Sequence, residues 1–413
     1  MFLPFMSKGS ISERKIKNKT IHLPQFEMTI LFLIHFLVGL DALAIVPFSS
    51  IMTSYVGGDT AWSGYLVSAY SISAAITCLC VRGASNIRRE KNRMLFFLAG
   101  IILTTFFTTL VHDFTTMILC RVLTGIFGGA LAVVNLNYVI LRSGDENKKR
   151  NTAVLMSSLP LALAVGVPIL ILLASGENWR LAFQFLSVSL LLVSILFFGV
   201  DRFGDKHQIP NVTAPNSDLF SVSDAIKSRT AWFSILLPFS AILGTFVVST
   251  QFPVMLSVNL GISPNLLSIC YLMSGVGAFA AVQFYGRTKA NERNVGLLIL
   301  FLSIAMVVTA ISGFQTKSVE LASIAFSVFV VVSSTRTLVL VTELICALPA
   351  RERVFLISAQ NSIQHLAVGV GGMLSSLVIY SKMDSTLDFS PLLYISSLLA
   401  LSTPIIWYWY KKQ

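Results

Sequence analysis

Composition, the spacing of apolar stretches and the placement of charge together point to an all-α membrane protein of twelve transmembrane helices arranged as two six-helix bundles. The 413 residues are 55% hydrophobic and only 12% charged, against about 25% charged in soluble domains. The apolar residues fall into twelve stretches, most of them close to the roughly 20 residues that cross a bilayer. The charges between those stretches lie almost wholly on one side: 25 of the 30 Lys and Arg fall in alternate connections if the N-terminus is cytoplasmic. Such an imbalance sets topology in membranes. The net charge of +11 therefore belongs to topology and does not point to nucleic acid.

The elements follow in order. Residues 1–26 read as a cytoplasmic tail with Lys8, Arg14, Lys15, Lys17 and Lys19, too polar and basic for a cleavable signal peptide. Span 1 covers 27–50 and span 2 covers 61–81. A basic connection (Arg82, Arg88, Arg89, Lys91, Arg93) then precedes span 3 at 94–112. Span 4, at 114–141, ends at Arg142, Lys148, Lys149 and Arg150. Spans 5 and 6, at 151–175 and 181–200, are joined outside by a turn carrying Arg180. Residues 201–230, with Pro210, Pro215 and several Asn, Ser and Asp, read as a cytoplasmic linker between a bundle at 27–200 and a second at 231–413. Spans 7 to 12 fall at 231–256, 264–286, 294–314, 318–347, 354–381 and 390–410. All five tryptophans (Trp62, Trp179, Trp232, Trp407, Trp409) lie at predicted interfaces, where indole prefers to sit.

The halves resemble each other. Tyr65-Leu66-Val67-Ser68 in span 2 answers Tyr271-Leu272-Met273-Ser274 in span 8. Ala164-Val165-Gly166-Val167-Pro168 in span 5 answers Ala367-Val368-Gly369-Val370-Gly371 in span 11. Two nearly equal offsets in corresponding spans point to an internal duplication. The five cysteines lie in apolar stretches without nearby ligands and read as small buried hydrophobes.

Charge inside a span costs several kcal/mol and marks candidate sites. Asp41 in span 1 and Arg121 in span 4 can meet at one depth below the outer face. A carboxylate's proton affinity rises with burial and falls beside a cation, so relative movement of the two could switch protonation; a static packing pair is the other reading. Arg336 and Glu343 in span 10 are expected near Gln360, Asn361, Gln364 and His365 of span 11, as a substrate cluster or second ion path, or else as an interhelical network with Glu343 as a gate at the cytoplasmic end. Asn135 and Gln251 are further polar candidates, whereas His35 reads as a packing residue. Gly125 and Gly129 form a GxxxG pair for close helix approach, and Gly166 with Pro168 favours a bendable contact in span 5. No GxxxxGK[ST] or HExxH pattern is present, which argues against an ATP-driven pump or a metalloprotease.

Leu119-Cys120-Arg121-Val122-Leu123-Thr124-Gly125 resembles motif B of the major facilitator superfamily. Asn178-Trp179-Arg180 followed by Phe183 resembles that family's turn between helices 5 and 6. Gly39-Leu40-Asp41 with Pro47 is similar to the acidic first helix of its twelve-span drug–proton antiporters. Motif A is only partly kept: Gly83 and Arg88 fit and Lys91 keeps the charge, but Ile87 replaces the Asp and Glu90 the Gly. The helix 5 antiporter motif survives as Gly166-Val167-Pro168 alone. The resemblance implies alternating access by rocking bundles, a cavity lined by helices 1, 4, 7 and 10, and roles for Asp41 and Arg121 in coupling and gating.

The resulting expectation is a monomeric, proton-coupled exporter of a small organic molecule in the inner membrane, with both termini cytoplasmic. It is not expected to be an enzyme, and it should need no cofactor beyond the proton gradient. Its partners would be the substrate and the lipid bilayer. The alternatives are an uptake symporter using Arg121 and Arg336 for an anion, and a transport-inactive sensor or assembly partner.

Overall fold

The computed structural model describes residues 23–412, apart from 82, 85, 175–177, 204–228, 288–291, 348–349 and 384–385. Twelve long helices follow one another. They are α1 (Gln25–Tyr55), α2 (Ser63–Cys80), α3 (Ile87–Thr108), α4 (Phe114–Arg142), α5 (145–173), α6 (Trp179–Phe203), α7 (229–259), α8 (Pro264–Arg287), α9 (Glu292–Gln315), α10 (Val319–Ala347), α11 (Ala350–Val378) and α12 (Ser390–Lys411). A two-residue antiparallel hairpin, Tyr380–Ser381 with Leu387–Asp388, joins the last two.

Ten of these helices are long and apolar enough to cross a membrane; α3 and α11 fall short. The reason is local: α3 opens with charged residues, Arg88 to Arg93, whereas α11 carries Gln360, Asn361, Gln364 and His365 in its middle. The start of α3 differs from the sequence expectation of a loop to residue 93. Asn86 accepts hydrogen bonds from the backbone N–H of Arg88 at 2.9 Å and of Arg89 at 3.2 Å. That side-chain cap satisfies the free amides of the first turn and brings the basic run into the helix. Asp113 caps α4 in the same way, through the N–H of Thr116 at 2.8 Å.

Two helices are interrupted. In α5 a π turn over Ala162–Gly166 precedes Pro168, whose missing N–H prevents the regular ladder. In α7 the helix breaks after Ser249, restarts at Phe252–Val254 and ends in a π turn over Met255–Asn259. The linker expected over 201–230 lies mostly outside the described residues, and its two ends belong to α6 and α7.

Within each half the same pairs pack: α2 on α4, α3 on α4, α3 on α6 and α1 on α6 are matched by α8 on α10, α9 on α10, α9 on α12 and α7 on α12. The halves meet mainly through α2 on α11 and α5 on α8, which exchange under the same pseudo-symmetry. The face where α1 begins and α12 ends is called terminal below, and the opposite face distal. Large apolar side chains on α6 and α9, such as Leu192, Ile195, Phe301 and Val308, point outward, as a lipid-solvated surface requires. Of the five tryptophans, Trp62, Trp232 and Trp409 are exposed. Trp179 and Trp407 are instead buried in the bundles, Trp179 lying edge-on to Tyr55 and Phe183.

Candidate functional site: buried charges among the helices

Asp41 and Arg121 are both wholly buried, and Arg121 Nη1 stands 3.9 Å from Asp41 Oδ2. The α1 helix continues to Tyr55, beyond the end expected near residue 50, yet the two residues still share a level. The α3 helix completes the site. Thr105 Oγ1 donates to Asp41 Oδ1 at 3.2 Å, and Arg121 Nη2 donates to Thr108 Oγ1 at 2.7 Å. The Arg121 guanidinium also lies 5.2 Å from the Phe183 ring centre on α6, within cation–π range. Asp41 Oδ2 and Arg121 Nη1 and Nε make no hydrogen bond among the described residues. The pair is thus an ion pair without a direct hydrogen bond, flanked by two threonines that the sequence pattern does not single out.

The backbone approach that holds α4 here comes from glycine. A Cβ on Gly125 would collide with the Tyr70 carbonyl oxygen and Ser73 Oγ, and one on Gly129 would stand 2.7 Å from the Ala74 carbonyl oxygen. This GxxxG contact seats α2 on α4. Tyr70 packs on α4, where a Cβ on Gly128 would stand 2.6 Å from its Oη, and its ring meets the His365 ring of α11 edge-on at 6.2 Å. Tyr70 therefore joins the α2–α4 contact to the opposite half.

Arg336 does not join the polar residues of α11, although the two share a depth along their helices. The α10 and α11 helices barely touch, because α11 packs on α2 and α7. The Arg336 guanidinium turns the other way, into its own half. Nη2 donates to the Ala241 carbonyl at 2.6 Å and to Thr245 Oγ1 at 3.3 Å, and Nη1 donates to the Ala400 carbonyl at 3.2 Å and to Ser303 Oγ at 3.4 Å. No carboxylate faces it among the described residues. Glu343 is also separate, accepting from Tyr285 Oη of α8 at 2.6 Å. Periodicity along one helix cannot reveal which neighbours each face will meet.

On α11, Gln360, Asn361, Gln364 and His365 are half-buried, and their side chains make no hydrogen bond to a described residue. They leave polar groups along the seam between the halves. Asn135 is different: it is fully buried and donates to the Leu31 carbonyl of α1 at 3.0 Å. His35 Nδ1 is buried without a hydrogen-bond partner among the described residues.

The halves meet along α2 and α11 from the Gly64–Gly372 approach to Ser362 Oγ, which donates to the Ala75 carbonyl at 2.8 Å, and several further polar contacts lie toward the distal face. Ser63 Oγ of α2 donates to Gln251 Oε1 at 3.3 Å, and Gln251 Nε2 donates to Ser375 Oγ of α11 at 3.0 Å. Ser268 Oγ of α8 donates to the Pro168 carbonyl at 3.2 Å. In the connecting loops Ser381 Oγ donates to Asp59 Oδ1 at 2.7 Å. Gly64 and Gly372 meet backbone to backbone, leaving no room for a Cβ on either. Gly166, in the α5 π turn, packs on Leu40 and Phe36 of α1, so Gly166 and Pro168 shape α5 against both α1 and α8.

On the terminal face two acidic residues outside the sequence-derived charge pairs act as ties. Buried Glu27 accepts from Arg142 Nη2 at 2.6 Å and Tyr138 Oη at 2.8 Å, joining α1 to α4. Buried Glu90 accepts from Asn137 Nδ2 at 2.6 Å and Arg93 Nη1 at 2.9 Å. Asn137 also lies against Gly83, where a Cβ would stand 2.5 Å from its amide carbon. Lys91 is buried with its Nζ 5.2 Å from the Phe197 ring centre, whereas Arg88 is exposed. The altered motif A thus places its acid at position 90, where it engages α4.

Comparison with known proteins agrees with this architecture. The family model described as Major Facilitator Superfamily matches residues 31–372. The chain is 26% identical over 275 residues to the inner membrane transport protein YdhP of Escherichia coli O157:H7, covering 65% of this chain and 67% of that protein. It is 24% identical over 206 residues to the MFS-type transporter YceJ of Bacillus subtilis, covering 49% of this chain and only 52% of YceJ. Two solved structures share the fold. A bacterial homologue of the human lysosomal transporter Spinster, inward-facing and unoccupied, has a TM-score of 0.67 at 15% identity, covering 94% of this chain and 95% of that one. A mutant of the nucleoside transporter NupG has a TM-score of 0.67 at 12% identity, covering 93% of this chain and 99% of that one. With twelve helices in two matched bundles and a family match over most of its length, this chain belongs to the Major Facilitator Superfamily and is a membrane transporter of that type.

Proposed function

We propose that the chain is a proton-coupled antiporter that exports a small organic molecule, a drug-like compound or a metabolite such as a siderophore, across the inner membrane. The observation that carries the reading is Asp41: a carboxylate wholly buried within a span, 3.9 Å from a cation on another helix and with no hydrogen bond on Oδ2 among the described residues. Its proton affinity depends on where Arg121 stands. A shift of α1 against α4 within their bundle, coupled to rocking of the halves, would therefore exchange a proton between the two sides. Tyr70 and His365 would relay that movement to the seam, and Gln360, Asn361 and Gln364 would offer the substrate polar contacts. The distal contacts around Gln251 would form the closure that must open on the outer side, with both termini in the cytoplasm.

Uptake of an anion through Arg336 is the weaker reading, because that guanidinium is already taken up by two carbonyls and two hydroxyls inside its own bundle. The test is accumulation of dyes, antibiotics and siderophores in energised inverted vesicles, with and without a proton uncoupler. Uncoupler-sensitive accumulation that Asp41→Asn abolishes supports the proposal. Accumulation in that variant at the wild-type rate removes Asp41 from the coupling.

A further inference from the structure

At the terminal face Asn86, Arg88, Arg89, Asn92, Arg93 and Phe96 line an open groove of about 710 Å³. Arg93 is engaged by Glu90 at 2.9 Å. Arg88 and Arg89 are exposed and have no ion-pair or hydrogen-bond partner for their side chains among the described residues. The helix end itself is already capped by Asn86, so what the groove offers is two free guanidiniums and the Asn92 amide.

The same face of α3 continues into the bilayer as apolar surface. Phe96 and Leu103 follow Arg89 at seven-residue steps and are 65% and 55% exposed. At 1.5 Å per residue Phe96 lies about 10 Å below Arg89, within one leaflet of a hydrocarbon core about 30 Å thick. A guanidinium matches a phosphodiester in a bidentate fork, and the exposed phenyl ring and leucine match an acyl chain beneath it. A soluble anion would use only the upper part of this arrangement.

We propose that this groove is a binding site for an anionic phospholipid, with its phosphate held by Arg88 and Arg89 and its acyl chain lying along Phe96. The site lies beside the Glu90–Asn137 tie, so an occupied groove would brace the α2–α3 connection against α4.

The test is thermal melting of the purified full chain in detergent, titrated with phosphatidylglycerol, phosphatidylethanolamine or glycerol 3-phosphate. Phosphatidylglycerol should raise the melting temperature, and the other two should not. A surface arginine contributes about 1 kcal/mol toward an anionic lipid surface. Arg88→Gln with Arg89→Gln should therefore weaken phosphatidylglycerol binding about 30-fold. Each single variant, usable if the double one does not insert, should weaken it about fivefold. Lys411→Gln with Lys412→Gln removes as much charge from the same face and should leave binding unchanged. Equal protection by glycerol 3-phosphate would overturn the proposal in favour of a free-anion site. Equal loss in the lysine variant would reduce the effect to general charge, and undiminished binding in the arginine variants would exclude the groove.

Discussion

Arg336 Nη1 donates to the carbonyl of Ala400 at 3.2 Å, and that carbonyl is free of its helical partner because the residue four positions on is Pro404. A proline within a span leaves one carbonyl exposed in hydrocarbon, where it is costly. A buried guanidinium without a carboxylate also needs acceptors. Each resolves the other's deficit, and α10 is thereby tied to α12 as well as to α7.

Arg336→Lys keeps the charge but cannot reach carbonyls on two helices at once. It should lower stability by about 2–4 kcal/mol, given about 1.5–3 kcal/mol for each bond to a charged group. A melting series in detergent checks this. An unchanged melting temperature would show that the fork is not used.

The Asp41–Arg121 contact predicts non-additivity. Removing one member of a buried pair leaves an uncompensated charge and should cost about 3–5 kcal/mol. Arg121→Met should therefore be strongly destabilising, and adding Asp41→Asn should recover part of the loss. Melting temperatures of the two single variants and the double variant read this out. A double variant as unstable as the sum of the singles would mean that the residues do not interact.

The distal closure is testable by cross-linking. With Ser381 Oγ 2.7 Å from Asp59 Oδ1, Asp59→Cys with Ser381→Cys in a cysteine-free background should be joined by a short thiol-specific reagent. If the distal face must open during transport, the joined protein should be inactive and should recover when the link is reduced. Full transport with the link in place would exclude separation of these loops.

The α11–α12 hairpin should respond to acid. Hydrogen bonds from the Ser390 backbone and side chain hold the Asp388 carboxyl down at about 2, with smaller help from Tyr380 and Lys382. A depressed carboxylate stabilises above its ordinary value near 4 and loses that contribution as the pH falls toward 2. A fluorophore on Met383→Cys, a fully exposed hairpin position, should therefore report constant order from neutral pH to about 4 and loosening below it. Asp388→Asn should flatten that dependence, and an unaltered acid profile would assign it to another group.

Much of this is legible in the chain. Apolar runs long enough to cross a bilayer have few other ways to satisfy their backbone, so the helices and their rough limits can be read directly. Asp41 and Arg121 can be paired because each lies a countable distance from a span end. Where expectation and structure part, the causes are physical. Depth places Arg336 and His365 together, but depth says nothing about azimuth, and α11 packs on α2 and α7. At the start of α3, charge suggests a loop, while the Asn86 cap is enough to begin the helix.

The all-α membrane architecture, its division into two related halves and the ionisable residues that must lie in hydrocarbon can all be read from the chain alone. Hydropathy and residue spacing are local properties that a single chain displays openly. Which partners those residues meet emerges only from packing: Thr105 and Thr108 beside the charged pair, the carbonyl released by Pro404 for Arg336, and the Gln251 contacts across the halves. Those choices follow from the rotation of each helix about its axis, which is set by packing such as that of Gly125 and Gly129 on α2 and is not encoded in any one segment.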